Sequence, residues 1–212
     1  MKYIIGLDLS TTCSGYSKFD LKGNLIEYKK ITPKTTLTTL EKISHVVYEL
    51  NDILSAFNED DEIEKVVIED IYLGNFRGFN QVRGFATLAR LSGAVITTIL
   101  FVTNKEVEDI IILRNAVSAR PMVGLKGNCQ KVEVQVWVLK NFTDIDTSEY
   151  EALIEAVQAK KEVKDIDQKE YKKRMLKISK LVEEETGFGE DISDAILLGY
   201  GESSKGIKKW KK

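Results

Sequence analysis

The chain has 212 residues, 43% of them apolar and 30% charged, with only two prolines. That length suits one domain with a sizeable core, and the composition excludes collagen-like and disordered classes; for want of an apolar run near ~18 residues, a membrane-spanning class is excluded too. Thirty-one Lys and Arg against 33 Asp and Glu leave a net charge of -2, so an anionic partner has to be held by a local basic patch rather than by overall charge.

Residues 3–9 form a short, nearly continuous apolar run, the pattern of a strand buried on both faces, with Asp8 as its anomaly. Residues 15–19 and 25–31 flank the turn-rich Asp20-Leu21-Lys22-Gly23-Asn24, so the opening reads as a three-strand meander ending at Pro33. From 36 to 57, Leu37, Leu40, Ile43, Val46, Val47, Leu50 and Leu54 recur at helical spacing. A fourth buried strand, Lys65-Val66-Val67-Ile68, runs directly into Glu69 and Asp70, and a glycine- and aromatic-rich loop follows over 72–79. Small residues among Leu and Ile over 82–100 predict a closely packed helix, 110–113 a fifth strand, and 131–139 a helix with Asn128 as a candidate cap.

Residues 142–186 change character. Two charged helical patterns, 149–161 and 168–185, predict a helical hairpin inserted into the single domain of 1–212, and Lys169, Lys172, Lys173, Arg174, Lys177 and Lys180 make the second of them basic. Gly187-Phe188-Gly189 breaks the chain before an apolar-faced helix over 190–200, and a basic tail occupies 203–212. The expected fold class is α/β: the meander plus parallel strands in a mixed sheet, flanked by helices.

Cys13 and Cys129 are far apart and outside any C-x-x-C pair, which suggests neither a zinc site nor a disulfide framework and fits a reducing cytoplasm. The opening apolar run is too short for a signal-peptide core, so a cytoplasmic location is expected.

Four acids stand on three buried elements: Asp8 after I-I-G-L, Glu69 or Asp70 after V-V-I, and Asp191 and Asp194 at i,i+3 on one helical face. Acids gathered in a partly desolvated pocket repel one another and take up protons unless a hard cation with oxygen ligands compensates them, which implies Mg²⁺ or Mn²⁺. Two such ions can clamp a phosphodiester, activate a water and stabilise the leaving oxygen. Neighbouring strand residues point to opposite faces, so pattern alone does not separate Glu69 from Asp70. Each acid also has an ordinary reading, as a turn former, a strand-end charge or a charge favoured at a helix terminus.

G-L-D-L-S-T-T-C-S-G-Y-S (6–17), V-V-I-E-D-I-Y (66–72), M-V-G-L-K-G-N-C-Q-K (122–131) and E-D-I-S-D-A-I-L (190–197) resemble, in order, the motifs of RuvC-type Holliday junction resolvases. The resemblance covers about 1–141 and 187–201. It implies a ribonuclease-H-like fold and a homodimeric endonuclease that nicks opposite strands of a four-way junction in a Mg²⁺-dependent way; forks and flaps stay open as substrates, and the carboxylate set leads us to expect two Mg²⁺ per site with Mn²⁺ as a substitute. By the same resemblance Asp8, Glu69, Asp191 and Asp194 are the metal-binding catalytic acids. Tyr72 falls on an aromatic that pushes into the junction centre, Lys131 on a basic residue that approaches the scissile phosphate, and Lys126 is a candidate of the same kind. The added helical region suggests a bacteriophage-encoded or otherwise divergent bacterial member.

Arg77 and Arg83, beside Phe76 and Phe79, form a basic cluster with interleaved aromatics that suits phosphates and unstacked bases at a branch point, or else an ordinary surface loop. His45, the only histidine, lies away from every motif and reads as structural. Two other functions compete: a module that binds branched DNA without cutting it, and, because G-L-D-L-S-T-T also looks like the first phosphate loop of the actin, sugar-kinase and Hsp70 superfamily, a phosphate-binding ATPase-like domain. The latter needs a duplicated domain and a second phosphate loop for which this chain has neither length nor sequence.

Overall fold

Side-chain alternation divides a five-stranded sheet into two covered faces. The computed structural model describes residues 1–58, 60–71 and 79–203, with only the backbone at 79–81 and 116. Strands β1 (Lys2–Asp8), β2 (Ser14–Asp20) and β3 (Leu25–Ile31) form the antiparallel meander, and β4 (Glu62–Glu69) and β5 (Ile111–Arg114) extend it in parallel, in the order β3-β2-β1-β4-β5. The turn between β2 and β3 is set by Asp20, whose carboxylate accepts from the Asn24 backbone N–H at 2.8 Å, and by Gly23 at φ 80°, a left-handed conformation that glycine adopts without a Cβ penalty.

Ile5, Leu7, Tyr16, Val66 and Ile68 point to one face, where they meet α1 (Thr39–Ser55) and α2 (Phe79–Thr103). Helix α1 begins later than its apolar spacing alone predicts, because Thr38 and Glu41 close a reciprocal capping box: Glu41 accepts from the Thr38 N–H and Thr38 Oγ1 accepts from the Glu41 N–H. Against the expectation that no segment is apolar enough to cross a bilayer, Val82–Thr103 of α2 is so by length and composition alone. Leu91, Val95 and Ile99 bury one side of it against the sheet and α1, while Phe101 is 86% exposed.

On the opposite face lie Ile4, Phe19 and Val67, under α8 (Glu190–Glu202) and α5 (Lys131–Phe142). Helix α8 is enclosed on all sides: every residue from Ile192 to Gly201 is buried, as suits a helix that is mostly apolar all round. Full burial of side chains such as Ile196 and Leu197 contributes about 1.5–3 kcal/mol each. Glycines let α8 lie directly on the strands. A Cβ at Gly6 would come within 2.1 Å of the Ala195 carbonyl oxygen, and Ser17 donates to that same oxygen at 2.7 Å.

Between β5 and α5 the chain forms α4 (Ala116–Met122), preceded by the single turn α3 (Val107–Ile110). Ile110 therefore closes a helical turn, and β5 starts one residue later than the apolar run predicts. Asn128 does not cap α5. Gln130 does, in a capping box with Glu133, which accepts from the Gln130 N–H at 2.6 Å. The hairpin of α6 (Ser148–Glu162) and α7 (Gln168–Thr186) packs Tyr150, Ile154, Met175, Ile178 and Val182 into the same core as α5 and α8.

Candidate active site

Strand parity and helix spacing bring four acids to one end of the sheet. Asp8 ends β1 on the same face as Ile4 and Gly6, and Glu69 ends β4 on the face of Val67, both towards α8. Leu7 pairs with Ile68 in the parallel register, so the two acids continue it side by side. Asp70 points to the other face and is exposed, while its backbone N–H donates to the Arg114 carbonyl. Of the two residues that the pattern left open, Glu69 is the one that meets Asp8. From above, the N-terminal part of α8 presents Asp191 and Asp194, held low over β2 because Gly15 has no side chain: a Cβ there would stand 2.0 Å from the Asp191 carbonyl oxygen.

These carboxyls interact. Burial pushes the Asp8 carboxyl up to about 9, assisted by the charge and hydrogen bond of Glu69 and then by Asp194 and Asp191. Asp194, 5% exposed, is raised to about 6, by burial first; Lys131 and Arg120 oppose the rise and Glu69 adds to it. Among the described residues Asp194 Oδ1 is buried without a hydrogen-bond partner. No group of three or more Asp, Glu, His or Cys among the described residues is drawn into ligating distance of one point. The donor chemistry nevertheless fits a hard dication: the set is all carboxylate oxygen, burial and acidic neighbours push the Asp8 carboxyl well above the usual aspartate range, and one buried oxygen of Asp194 is orphaned.

Lys131, at the start of α5, donates to Glu190 Oε2 at 2.7 Å. Burial lowers its pKa, but Glu190, Asp194 and Asp8 outweigh that and hold it above the ordinary lysine value. Sequence reasoning passed over Glu190, which also accepts from Ser179 Oγ of α7 at 3.2 Å and so joins three elements at the rim. It also passed over Arg120 of α4, whose Nη1 donates to the Cys129 carbonyl at 2.9 Å and whose charge works on Asp194. Glu190 is one residue from Asp191 in E-D-I-S-D, a signal that could have flagged it; Arg120 stands in a segment with no apolar period.

Arg83 and Lys126 do not join the acids. Arg83 is exposed near the start of α2, beside Thr39 and Arg90 on the opposite face. Lys126 is exposed before α5 and lines a groove with Gln158, Lys161 and Tyr171. Tyr72 and Arg77, with Phe76, lie outside the described residues. His45 sits on α1, across the sheet from the acids. Cys13 follows β1 close to Asp191, and burial pushes its thiol up to about 11, which keeps it protonated and no nucleophile near neutral pH.

No family model matches the chain, and no curated protein sequence does. Among solved structures, Thermus thermophilus RuvC matches with a TM-score of 0.57 at 10% identity, covering 99% of this chain and 96% of that one. The same protein in complex with Holliday junction substrate matches with a TM-score of 0.56 at 11% identity, covering 94% and 91%. With its mixed five-stranded sheet and the helices on both faces, the chain has the ribonuclease-H-like fold of RuvC.

Proposed function

We propose that the protein is a structure-selective endonuclease that nicks branched DNA in a divalent-metal-dependent reaction, as a homodimer with one site per subunit. The observation that carries this reading is the meeting of Asp8, Glu69, Asp191 and Asp194, from β1, β4 and α8, at one end of a RuvC-like sheet. These carboxylates would hold a pair of Mg²⁺ ions, which would supply an activated water and offset the charge of the phosphodiester. The Asp8 carboxyl, raised by burial and its acidic neighbours, would give up its proton when that charge is present. Lys131, steered by Glu190, brings a cation to the rim of the acids, where a phosphate oxygen gains charge during displacement. Two symmetric cuts need two sites, and the exposed apolar side of α2 is the candidate two-fold contact.

The test is incubation with end-labelled four-way junction and matched linear duplex, with Mg²⁺ or with EDTA, alongside Asp8→Asn. Metal-dependent, paired nicks in the junction alone, lost in the variant, are expected. Tight junction binding without cutting would instead assign a non-cleaving branched-DNA module, a reading favoured by the absence of ligating geometry among the described acids. Indifference to the junction would overturn both.

A further inference from the structure

Helix α7 carries a lysine-rich face. Its buried residues, Met175, Ile178, Ser179 and Val182, fix the side turned to the core. At 100° per residue, Lys169, Lys173, Lys177 and Lys180 fall within an arc of about 80° on the opposite side, and these four and Lys172 are exposed. Elsewhere Lys22 and Lys34 also stand without an ion pair among the described residues, whereas Lys2, Lys29, Lys30, Lys105, Lys131 and Lys140 are each ion-paired. Among the described residues none of the five lysines of α7 is. Of the acids of this helix, Glu170 pairs with Arg174, Glu183 with Lys30 of β3 and Glu185 with the Tyr150 hydroxyl, while Glu184 is exposed four residues beyond Lys180, at the C-terminal end of the stripe. A helix in a chain of net charge -2 thus turns a mainly basic face to solvent.

The stripe also has a direction. Ser179 Oγ meets Glu190, the partner of Lys131, at 3.2 Å, so Lys180 stands one residue from a direct link to the acid cluster. From there the lysines recede over about 16 Å to Lys169, at 1.5 Å per residue, or about five nucleotides of one strand at 3.4 Å each. We infer that this face of α7 is a phosphate-tracking surface that holds a duplex arm of the substrate on its way out of the active site. This rests on the proposed action on branched DNA and adds where the DNA away from the cut is held.

The test uses the full chain in EDTA, with junction binding measured as a function of salt. For Lys169→Gln/Lys173→Gln/Lys177→Gln/Lys180→Gln, affinity is expected to fall about 10- to 100-fold and the slope of log K against log salt to shrink by about 2–4. Nicking at saturating DNA and the thermal midpoint should stay unchanged. As a charge-matched control, Lys22→Gln/Lys34→Gln should lose much less than Lys173→Gln/Lys177→Gln; equal losses would reduce the effect to net charge and overturn the assignment. Wild-type-like binding by the quadruple variant, while the native protein still binds and cuts junctions, would overturn the stripe alone. Loss of binding to anionic phospholipid vesicles with junction affinity intact would assign the face to a membrane and also overturn it. Failure of the native protein to bind any branched DNA would overturn the function and, with it, this inference.

Discussion

Gly15 and Asp191 are in backbone contact across the site: the position of a Cβ on Gly15 lies 2.0 Å from the Asp191 carbonyl oxygen and 3.0 Å from Ala195 Cβ. Because the obstructing atom is backbone rather than the far end of a side chain, Gly15→Ala has to lift the first turn of α8 off β2. The expected cost is about 1–3 kcal/mol of overpacking, read from urea denaturation. A larger consequence is expected for metal-dependent cleavage, since Asp191 and Asp194 move with the helix. A variant that keeps native stability and activity would show that α8 is free to shift.

Asp8 links stability to pH. Its carboxyl is raised from the ordinary aspartate range to about 9, so the metal-free native state keeps a proton that the unfolded chain has released above about pH 4. Stability therefore falls as pH rises from about 4 towards 9. Asp8→Asn, which carries no charge to desolvate, should flatten this slope and melt higher than the native protein in EDTA at pH 8. Mg²⁺ should recover more of the loss in the native protein than in the variant. Equal slopes in EDTA would remove Asp8 as the source.

The meander was legible because it is built locally: apolar runs separated by Asp20 to Asn24 admit one hairpin. The acids were legible as anomalies, charges closing runs that otherwise bury completely. What pattern could not carry was anything that depends on which face is covered. Glu69 and Asp70 differ only by parity, and parity has meaning once α8 lies over Gly6 and Gly15. Helix α4 was missed for a related reason: its seven residues include Pro121 and show no apolar period, and its stop at Met122 and Val123 is set by packing under α8. The cap at Gln130 rather than Asn128 follows from Glu133 being placed to reach back to it.

Gln135 is a further test of how the rim is held. It is fully buried in α5, and its Nε2 donates to the Phe188 carbonyl at 3.0 Å and the Ser179 carbonyl at 3.3 Å. It thus joins α7 to the loop that leads into α8. Gln135→Leu leaves both carbonyls without that donor, at an expected cost of about 1–3 kcal/mol. The same change should lower cleavage more than junction binding, because it loosens the approach to Asp191 while sparing the surface lysines. Unaltered denaturation would show that other donors take over.

Lys131 and Glu190 separate charge from stability. Their 2.7 Å pair lies at the rim, with the lysine about half exposed, so Glu190→Gln should cost no more than about 1 kcal/mol. Catalysis should respond differently. Glu190 helps to hold the Lys131 ammonium protonated, and its neutralisation should move the loss of activity at high pH to lower pH. Lys131→Arg should keep the charge and so retain more activity than Lys131→Met. A high-pH limb that stays in place in Glu190→Gln would show that Lys131 does not set it.

Gly93 offers a test of the proposed two-fold contact that does not rely on the site. It lies in the exposed side of α2, and a Cβ added there meets nothing within 4 Å in the single subunit. Within one subunit Gly93→Ala should therefore be stabilising, by about 1 kcal/mol of helix propensity, and Gly93→Leu by a similar amount. If α2 packs against its copy, a glycine is the residue that permits close approach of the two helices, and Leu forces them apart. Sedimentation should then show a dimer for the native protein and a raised dissociation constant for Gly93→Leu, with paired junction cuts giving way to single nicks. Native dimerisation in Gly93→Leu would move the interface to another face of the molecule.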